Sequence, residues 1–138
     1  MQKQVRDFHE KFGLLIQDTP RLPNLEKVAS LRADLIDEEA EEFRSAAIEE
    51  DIVGVGDAIA DLLYVVLGAA VSYGINVEPV FNEVHRSNMS KLWPDGKPHY
   101  SEAGKVLKPP TYSKANVAKE LELQADGYDN DCHIPACS

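Results

Sequence analysis

Two pairs of acidic residues lie on segments whose apolar residues recur with the period of an α-helix. The pairs are Glu38/Glu42 and Asp57/Asp61, and the members of each pair are four positions apart. On a helix such residues lie one above the other, about 6 Å from each other. Because carboxylates normally face solvent, acids on an apolar helix face restrict both the fold and the chemistry of this chain.

The first pair belongs to a long helical segment in which three acids share the apolar face. The apolar stripe of this segment is centred on Leu35, at about 100° per residue. Glu42 falls at about −20° from that centre, Glu39 at about +40° and Glu38 at about −60°. Two neighbouring acids point away from the stripe and are typical surface charges: Asp37 and Glu41.

The second pair opens a segment that is almost entirely apolar, residues 57–73, and no Lys or Arg occurs between Arg44 and Arg86. A cluster of inward carboxylates needs cations, since an isolated buried charge is very unfavourable. Oxygen ligands suit hard divalent ions such as Mg²⁺ or Mn²⁺. The acidic cluster includes no His or Cys, which argues against zinc. The pattern therefore predicts a divalent metal site.

Composition restricts the partners and the setting. A net charge of −10 over 138 residues argues against binding to nucleic acid, because phosphates would be repelled. The longest apolar run, residues 62–71, is too short to span a bilayer, so no membrane partner is expected. Both cysteines, Cys132 and Cys137, lie in the last seven residues, so we expect no disulfide framework and a cytoplasmic location.

The periodicity predicts an all-α fold. We expect one domain over residues 1–123, with a four-helix core bundle, a long C-terminal loop and a short last helix, followed by a flexible acidic tail over 124–138. Asn24 and Asn76 are predicted to cap the second and fourth helices, and Ser113 the last one. The sequence Val53-Gly-Val-Gly56 is interpreted as a turn or loose helix start before the third helix. The apolar third helix favours packing against a second copy of the chain.

The acidic blocks carry a resemblance to a known family. Glu38-Glu39-Ala-Glu-Glu42 followed by Asp57-Ala-Ile-Ala-Asp61 resembles the E-E-x-x-E and E-x-x-D signatures of the MazG-like, all-α nucleoside triphosphate pyrophosphohydrolases. Residues 84–91, 95–97 and 104–109 are similar to the small members related to phosphoribosyl-ATP pyrophosphatase. The resemblance spans residues 5–118. It implies a dimer or dimer of dimers (homodimer or homotetramer), dependence on Mg²⁺ with Mn²⁺ as a substitute, and cleavage of a nucleoside triphosphate to the monophosphate and pyrophosphate.

The second block departs from the family pattern. The family has Glu three residues before the Asp, where this chain has Ala58, and the nearest acid is Asp57. A shift of one residue moves a side chain by about 100° around the helix. Asp61 is therefore the safer metal ligand of the two.

The resulting site hypothesis has three parts. The predicted metal ligands are Glu38, Glu39, Glu42, Asp57 and Asp61. The predicted catalytic residues are Glu39, as a general base or a further ligand, and Glu38. The predicted substrate contacts are Arg86, Asn88, Lys91, Trp93, Lys108 and Tyr112, with solvated lysines and a helix-capping Asn88 as the alternative reading.

Several alternatives stay open at this point. The substrate is expected to be a (d)NTP with a purine base, guanine first. The alternatives are the substrates of a phosphoribosyl-ATP or a dUTP-type pyrophosphatase. A non-catalytic helical dimerisation module, whose acids pair with a basic partner, is the rival without chemistry. A di-iron bundle is disfavoured because the second and third helices contain no Glu-x-x-His. The C-terminal Cys132-His133 and Cys137 make an incomplete zinc site.

Overall fold

The computed structural model describes residues 1–24 and 26–127, and this part of the chain contains five α-helices. They are α1 (Gln2–Phe12), α2 (Glu26–Ile48), α3 (Ile52–Tyr73), α4 (Val77–Met89) and α5 (Val117–Ala125). Within the same residues, β pairing is limited to one isolated antiparallel bridge between Tyr100 and Val106. The prediction of an all-α fold is confirmed. The Cys132/Cys137 segment lies outside the described residues.

The chain divides into two compact units, residues 1–77 and 78 onward. In the first unit α3 packs against both α2 and α1, most extensively against α2. Its buried apolar residues are few and mostly small: Val5, Ala46, Ala58, Ala70 and Val71. Polar side chains share this core, since His9, Gln17, Arg32 and Ser72 are also buried.

The third helix begins earlier than the sequence predicted, because Asp51 caps it. The Asp51 carboxylate accepts a hydrogen bond from the Val53 backbone N–H at 3.1 Å. Gly54 and Gly56 therefore lie inside the first turns of α3. A Cβ atom at Gly54 would lie 2.7 Å from Asp51 Oδ2 and 3.1 Å from Ala46 Cβ. Of the two interpretations of Val53-Gly-Val-Gly56, the turn is wrong and the helix start agrees with the structure: Gly54 allows α3 to approach α2 closely.

The connection between α1 and α2 follows the C-terminal end of α3. The backbone N–H of Gln17 donates to the Val71 carbonyl at 3.1 Å, and the backbone N–H of Arg21 donates to the Tyr73 carbonyl at 3.0 Å. Gly74 ends α3 with φ of 67°, and a Cβ atom there would collide with the Thr19 carbonyl. Glycine at this position therefore serves both the left-handed cap and the contact.

The second unit contains α4, a long loop and α5. Asn116 caps α5 by accepting a hydrogen bond from the Lys119 amide at 3.2 Å, so the prediction of Ser113 as the cap was wrong. The Ser113 amide instead donates to Ser90 Oγ at 2.9 Å. This contact ties the loop to the end of α4.

The third helix leaves much apolar surface exposed. Ile59, Leu63 and Val66 are 45%, 48% and 40% exposed. Among the described residues, α3 alone is long and apolar enough to cross a membrane, and only 11% of that apolar stretch is buried within the chain. The run 62–71 was judged too short to span a bilayer, and that judgement does not hold for the whole length of α3. A single helix of this kind is weak evidence for a span, because core helices have the same length and composition.

Candidate active site

Contacts at two levels define how α2 and α3 face each other. At one level, Ala46 Cβ lies 3.1 Å from where a Cβ atom on Gly54 would be. At the other, Arg32 Nη1 lies 3.2 Å from where a Cβ atom on Gly68 would be. On each helix, the position midway between the two levels is seven residues from either of them, a rise of about 10.5 Å. The midway residues are Glu39 on α2 and Asp61 on α3. These two acids therefore lie at about the same level of the hairpin, and the charge of Asp61 acts on Glu39.

Glu39 is the most perturbed of the five predicted metal ligands. The residue as a whole is half-buried, but its Oε2 atom is shielded from solvent and has no hydrogen-bond partner. Desolvation raises the pKa of Glu39, and repulsion by the carboxylates of Glu42, Asp61, Glu38 and Asp57 raises it further. The charges of the other four acids thus act on Glu39, but those four residues are exposed, so only Glu39 has the inward position that the sequence predicted.

An open cleft of about 510 Å³ lies between α2 and the start of α3. Three of the predicted ligands line it: Glu38, Glu42 and Asp57. Glu41 also borders the cleft, although its carboxylate is 2.7 Å from Arg44 Nη1 and largely exposed. Glu39 and Asp61 are not among the lining residues.

Ala58 occupies the position where the family pattern has Glu. It is 3% exposed and lines the cleft beside Asp57. The helix therefore presents a methyl group where the family presents a carboxylate, and the neighbouring acid approaches the cleft from the adjacent position on the helix.

The donor set suits a hard divalent cation. In the described ranges none of the five acids forms an ion pair, and the shielded Glu39 Oε2 lacks any donor. No three His, Cys, Asp or Glu side chains among residues 1–24 and 26–127 already converge on a single ion position. Like charges repel, so side-chain rotation would be needed to bring three oxygens onto one ion. The residue chemistry fits Mg²⁺ or Mn²⁺ and not a softer metal.

The six predicted substrate contacts all belong to the second unit. Arg86 is held within it: its guanidinium donates to Glu83 at 2.6 and 2.8 Å, to Ser113 Oγ at 3.0 Å and to the Lys114 carbonyl at 3.2 Å. Lys91 Nζ donates to Asn88 Oδ1 at 2.7 Å. Arg86 is therefore a scaffold residue in this structure, and its phosphate contact, like those of Lys91 and Asn88, stays a prediction.

The aromatic candidates already have partners. Trp93 stacks on His99 with ring centroids 4.4 Å apart, and its shielded Nε1 has no hydrogen-bond partner. Lys108 Nζ lies 4.7 Å from the centroid of the Tyr112 ring, and Tyr112 accepts a hydrogen bond from Ser87 at 3.3 Å. One face of Trp93 and one of Tyr112 are thus occupied, and binding of a base to either stays a prediction.

Sequence reasoning missed a second group of polar residues in the first unit. Arg32, Ser72 and His9 are buried and joined by hydrogen bonds. One signal was present: Arg32 precedes Glu39 by seven residues and so shares its helix face.

The all-α fold is that of the MazG-like nucleotide pyrophosphohydrolases. Within this class the chain belongs to the phosphoribosyl-ATP pyrophosphohydrolase family, whose model matches residues 5–88. The matched range includes all five acids. An uncharacterised protein of Acanthamoeba polyphaga mimivirus is 32% identical over 104 residues, which is 75% of this chain and 39% of that protein. The chain thus spans well under half the length of this relative.

Proposed function

We propose that the chain is a Mg²⁺-dependent nucleoside triphosphate pyrophosphohydrolase that converts a (d)NTP and water into the (d)NMP and pyrophosphate. The observation that carries this proposal is the cluster of five acids around the unpartnered Oε2 of Glu39. A cluster without a basic partner in the described residues suits a cation, and a triphosphate brings phosphates that bind the same cation. Family membership supports the nucleotide pyrophosphohydrolase class.

Glu38, Glu42 and Asp61 would hold the metal, with Asp57 joining them. When bound, Mg²⁺ neutralises charge on the phosphates and lowers the pKa of a water molecule. Mn²⁺ has the same preference for oxygen ligands and would substitute.

Glu39 is the proposed general base, and Glu38 is the second proposed catalytic residue. A raised pKa makes the Glu39 carboxylate a better proton acceptor near neutral pH. In the proposed reaction, water oxygen forms a bond to the α-phosphorus while Glu39 takes its proton. The bond from the α-phosphorus to the bridging oxygen breaks, and pyrophosphate leaves with the electron pair.

The proposed substrate contacts are those predicted from the sequence. Lys91 and Lys108 would neutralise the departing pyrophosphate, and the unoccupied faces of Trp93 and Tyr112 offer flat surfaces to a base. Asn88 would hydrogen-bond the sugar or a phosphate. Purine substrates, guanine first, are the proposed preference among the (d)NTPs.

The decisive experiment measures pyrophosphate release from each common NTP and dNTP in Mg²⁺ buffer. Glu38→Gln and Asp61→Asn should each abolish release while leaving the helical circular dichroism unchanged. Asp37→Asn is the matched control, since it removes an acid from the outer face of the same helix. Activity retained in either site variant would contradict the metal-site argument.

Phosphoribosyl-ATP is the second candidate substrate, because the matched family model is that of phosphoribosyl-ATP pyrophosphohydrolase. The same assay decides between them when phosphoribosyl-ATP and dUTP are added to the panel. A substrate with a clearly higher kcat/KM than the others identifies the class. If no nucleotide is hydrolysed, a non-catalytic helical module is the better description.

We also propose that a second copy of the chain covers the exposed face of α3. Apolar side chains along one helix face, Ile59, Leu63 and Val66 among them, bury more surface in a homodimer or homotetramer. Sedimentation velocity should show an oligomer for the wild type and monomers for Leu63→Lys. Leu22→Lys, at an exposed position outside α3, is the control and should leave the oligomer intact. A monomeric wild type would refute the proposal.

A further inference from the structure

A buried polar layer lies two helical turns from Glu39, toward the N-terminus of α2. Arg32 is 8% exposed and Ser72 is 0% exposed. Arg32 Nε donates to Ser72 Oγ at 3.1 Å, and Ser72 Oγ donates to the Leu15 carbonyl at 3.3 Å. His9 Nδ1 lies 2.9 Å from the same carbonyl. The layer thus joins α1, α2, α3 and the segment after α1.

Arg32 has no carboxylate partner in the described part of the chain. Arg6, Arg44 and Arg86 form ion pairs. Among the described residues Arg32 does not, and burial lowers its pKa without any opposing charge. Burying an unpaired cation is unfavourable. Stabilisation of the fold is therefore a poor explanation for the layer, whereas polar groups inside helical packing can fix how helices are set against each other.

The guanidinium lies where a Cβ atom on Gly68 would crowd it. A Cβ atom at Gly68 would lie 3.2 Å from Arg32 Nη1 and 3.2 Å from His9 Nε2. Arg32 therefore rests directly on the backbone of α3 at Gly68 while its Nε is bonded one turn further along, at Ser72. Two contacts with α3, at Gly68 and at Ser72, thus fix where the end of the Arg32 side chain lies.

We propose that Arg32 is a positioning residue for the acid site: by bonding to Ser72 and packing on Gly68 it sets the rotation of α2 so that Glu39 faces Asp61. This inference rests on the proposed function. A rotation of α2 by about 20° moves a side-chain tip about 6 Å from the axis by about 2 Å. Functional constellations must be held within about 0.5 Å, so the site is sensitive to a small loss of this restraint.

The test compares Arg32→Met with Arg44→Met. Both variants remove a guanidinium from α2, but Arg44 is largely exposed and bonded to Glu41. We expect Arg32→Met to melt no lower than the wild type, since an unpaired buried charge is replaced by an apolar chain of similar length. Calorimetry without nucleotide should show Mg²⁺ affinity reduced at least tenfold, and kcat should fall at least tenfold with a smaller change in KM. Arg44→Met should match the wild type in all three.

Ser72→Ala provides a second measurement if Arg32→Met does not fold. It removes the acceptor of the Nε hydrogen bond and leaves the charge, so Mg²⁺ affinity should again fall, by severalfold. Wild-type Mg²⁺ affinity in a folded Arg32→Met or in Ser72→Ala would overturn the positioning role alone. A wild-type protein that neither binds Mg²⁺ nor releases pyrophosphate would overturn the proposed function and the positioning role with it.

Discussion

Two glycines of α3 give opposite predictions for the same substitution. Gly56 and Gly68 both lie inside the helix, where replacing Gly by Ala gains about 1 kcal/mol of helix propensity. A Cβ atom at Gly56 meets nothing within 4 Å, whereas one at Gly68 lies 3.2 Å from both Arg32 Nη1 and His9 Nε2. Hydrogen bonds hold both of these side chains, so neither can move away freely. Overpacking of this kind costs about 1–3 kcal/mol.

We therefore expect Gly56→Ala to raise the free energy of unfolding by about 1 kcal/mol and Gly68→Ala to lower it by about 1 kcal/mol. The two variants should differ by about 2 kcal/mol, a Tm difference of roughly 6–8 °C for a chain of this length. Urea and thermal unfolding of both variants beside the wild type measure this difference. A Gly68→Ala variant as stable as Gly56→Ala would refute the close packing of Arg32 on α3.

Three further predictions concern charge. Burial lowers the pKa of His9 below its usual 6.5, against the Leu15 hydrogen bond, and Arg32 lowers it further. Stability should therefore be full above about pH 6.5 and fall as the pH decreases below it, and His9→Gln should remove this component from the pH dependence of urea unfolding. Hydrogen bonds from Arg86 and the Asn116 amide lower the pKa of Glu83 to about 2, so its contribution should be present above pH 4.5 and lost toward pH 2, and Glu83→Gln should abolish that loss in acid unfolding. Mg²⁺ at 100 times its Kd should stabilise the wild type by about 2.7 kcal/mol; a thermal shift equally large in Asp61→Asn would contradict ligation by Asp61.

The sequence predicted the helices better than their ends. Apolar periodicity located α2 and α4 closely, because long amphipathic segments have few alternative ways to bury their apolar face. The sequence did not decide between a turn and a helix start before α3, because Gly54 has two possible uses, a turn and a close helix contact, and only the contact with Ala46 and Asp51 selects the second. Ser113 and Asn116 are both good capping residues, and the hydrogen bond of Ser113 to Ser90 decides which one caps α5.

The clustering of the acids could be predicted from the sequence for a reason that does not extend to Arg32. Carboxylates on an apolar face are visible in the sequence because nothing nearby neutralises them, and the helix period alone brings Glu38, Glu39 and Glu42 together. An arginine on the edge of a stripe usually extends to solvent along its apolar stem. Whether Arg32 does so depends on Gly68 and Ser72, which lie far away in the sequence.

The two helices of the site approach each other closely on either side of it. In the middle of the hairpin burial raises the pKa of Glu39, and repulsion by the neighbouring carboxylates raises it further. This repulsion favours separation of α2 from α3. Seven residues away on one side Ala46 packs against Gly54, and seven residues away on the other side Arg32 packs against Gly68. A glycine of α3 at each level allows this close approach, which brings the acids near one another. A cation bound at the middle level would remove the repulsion, so metal binding and the packing of α2 on α3 should stabilise each other.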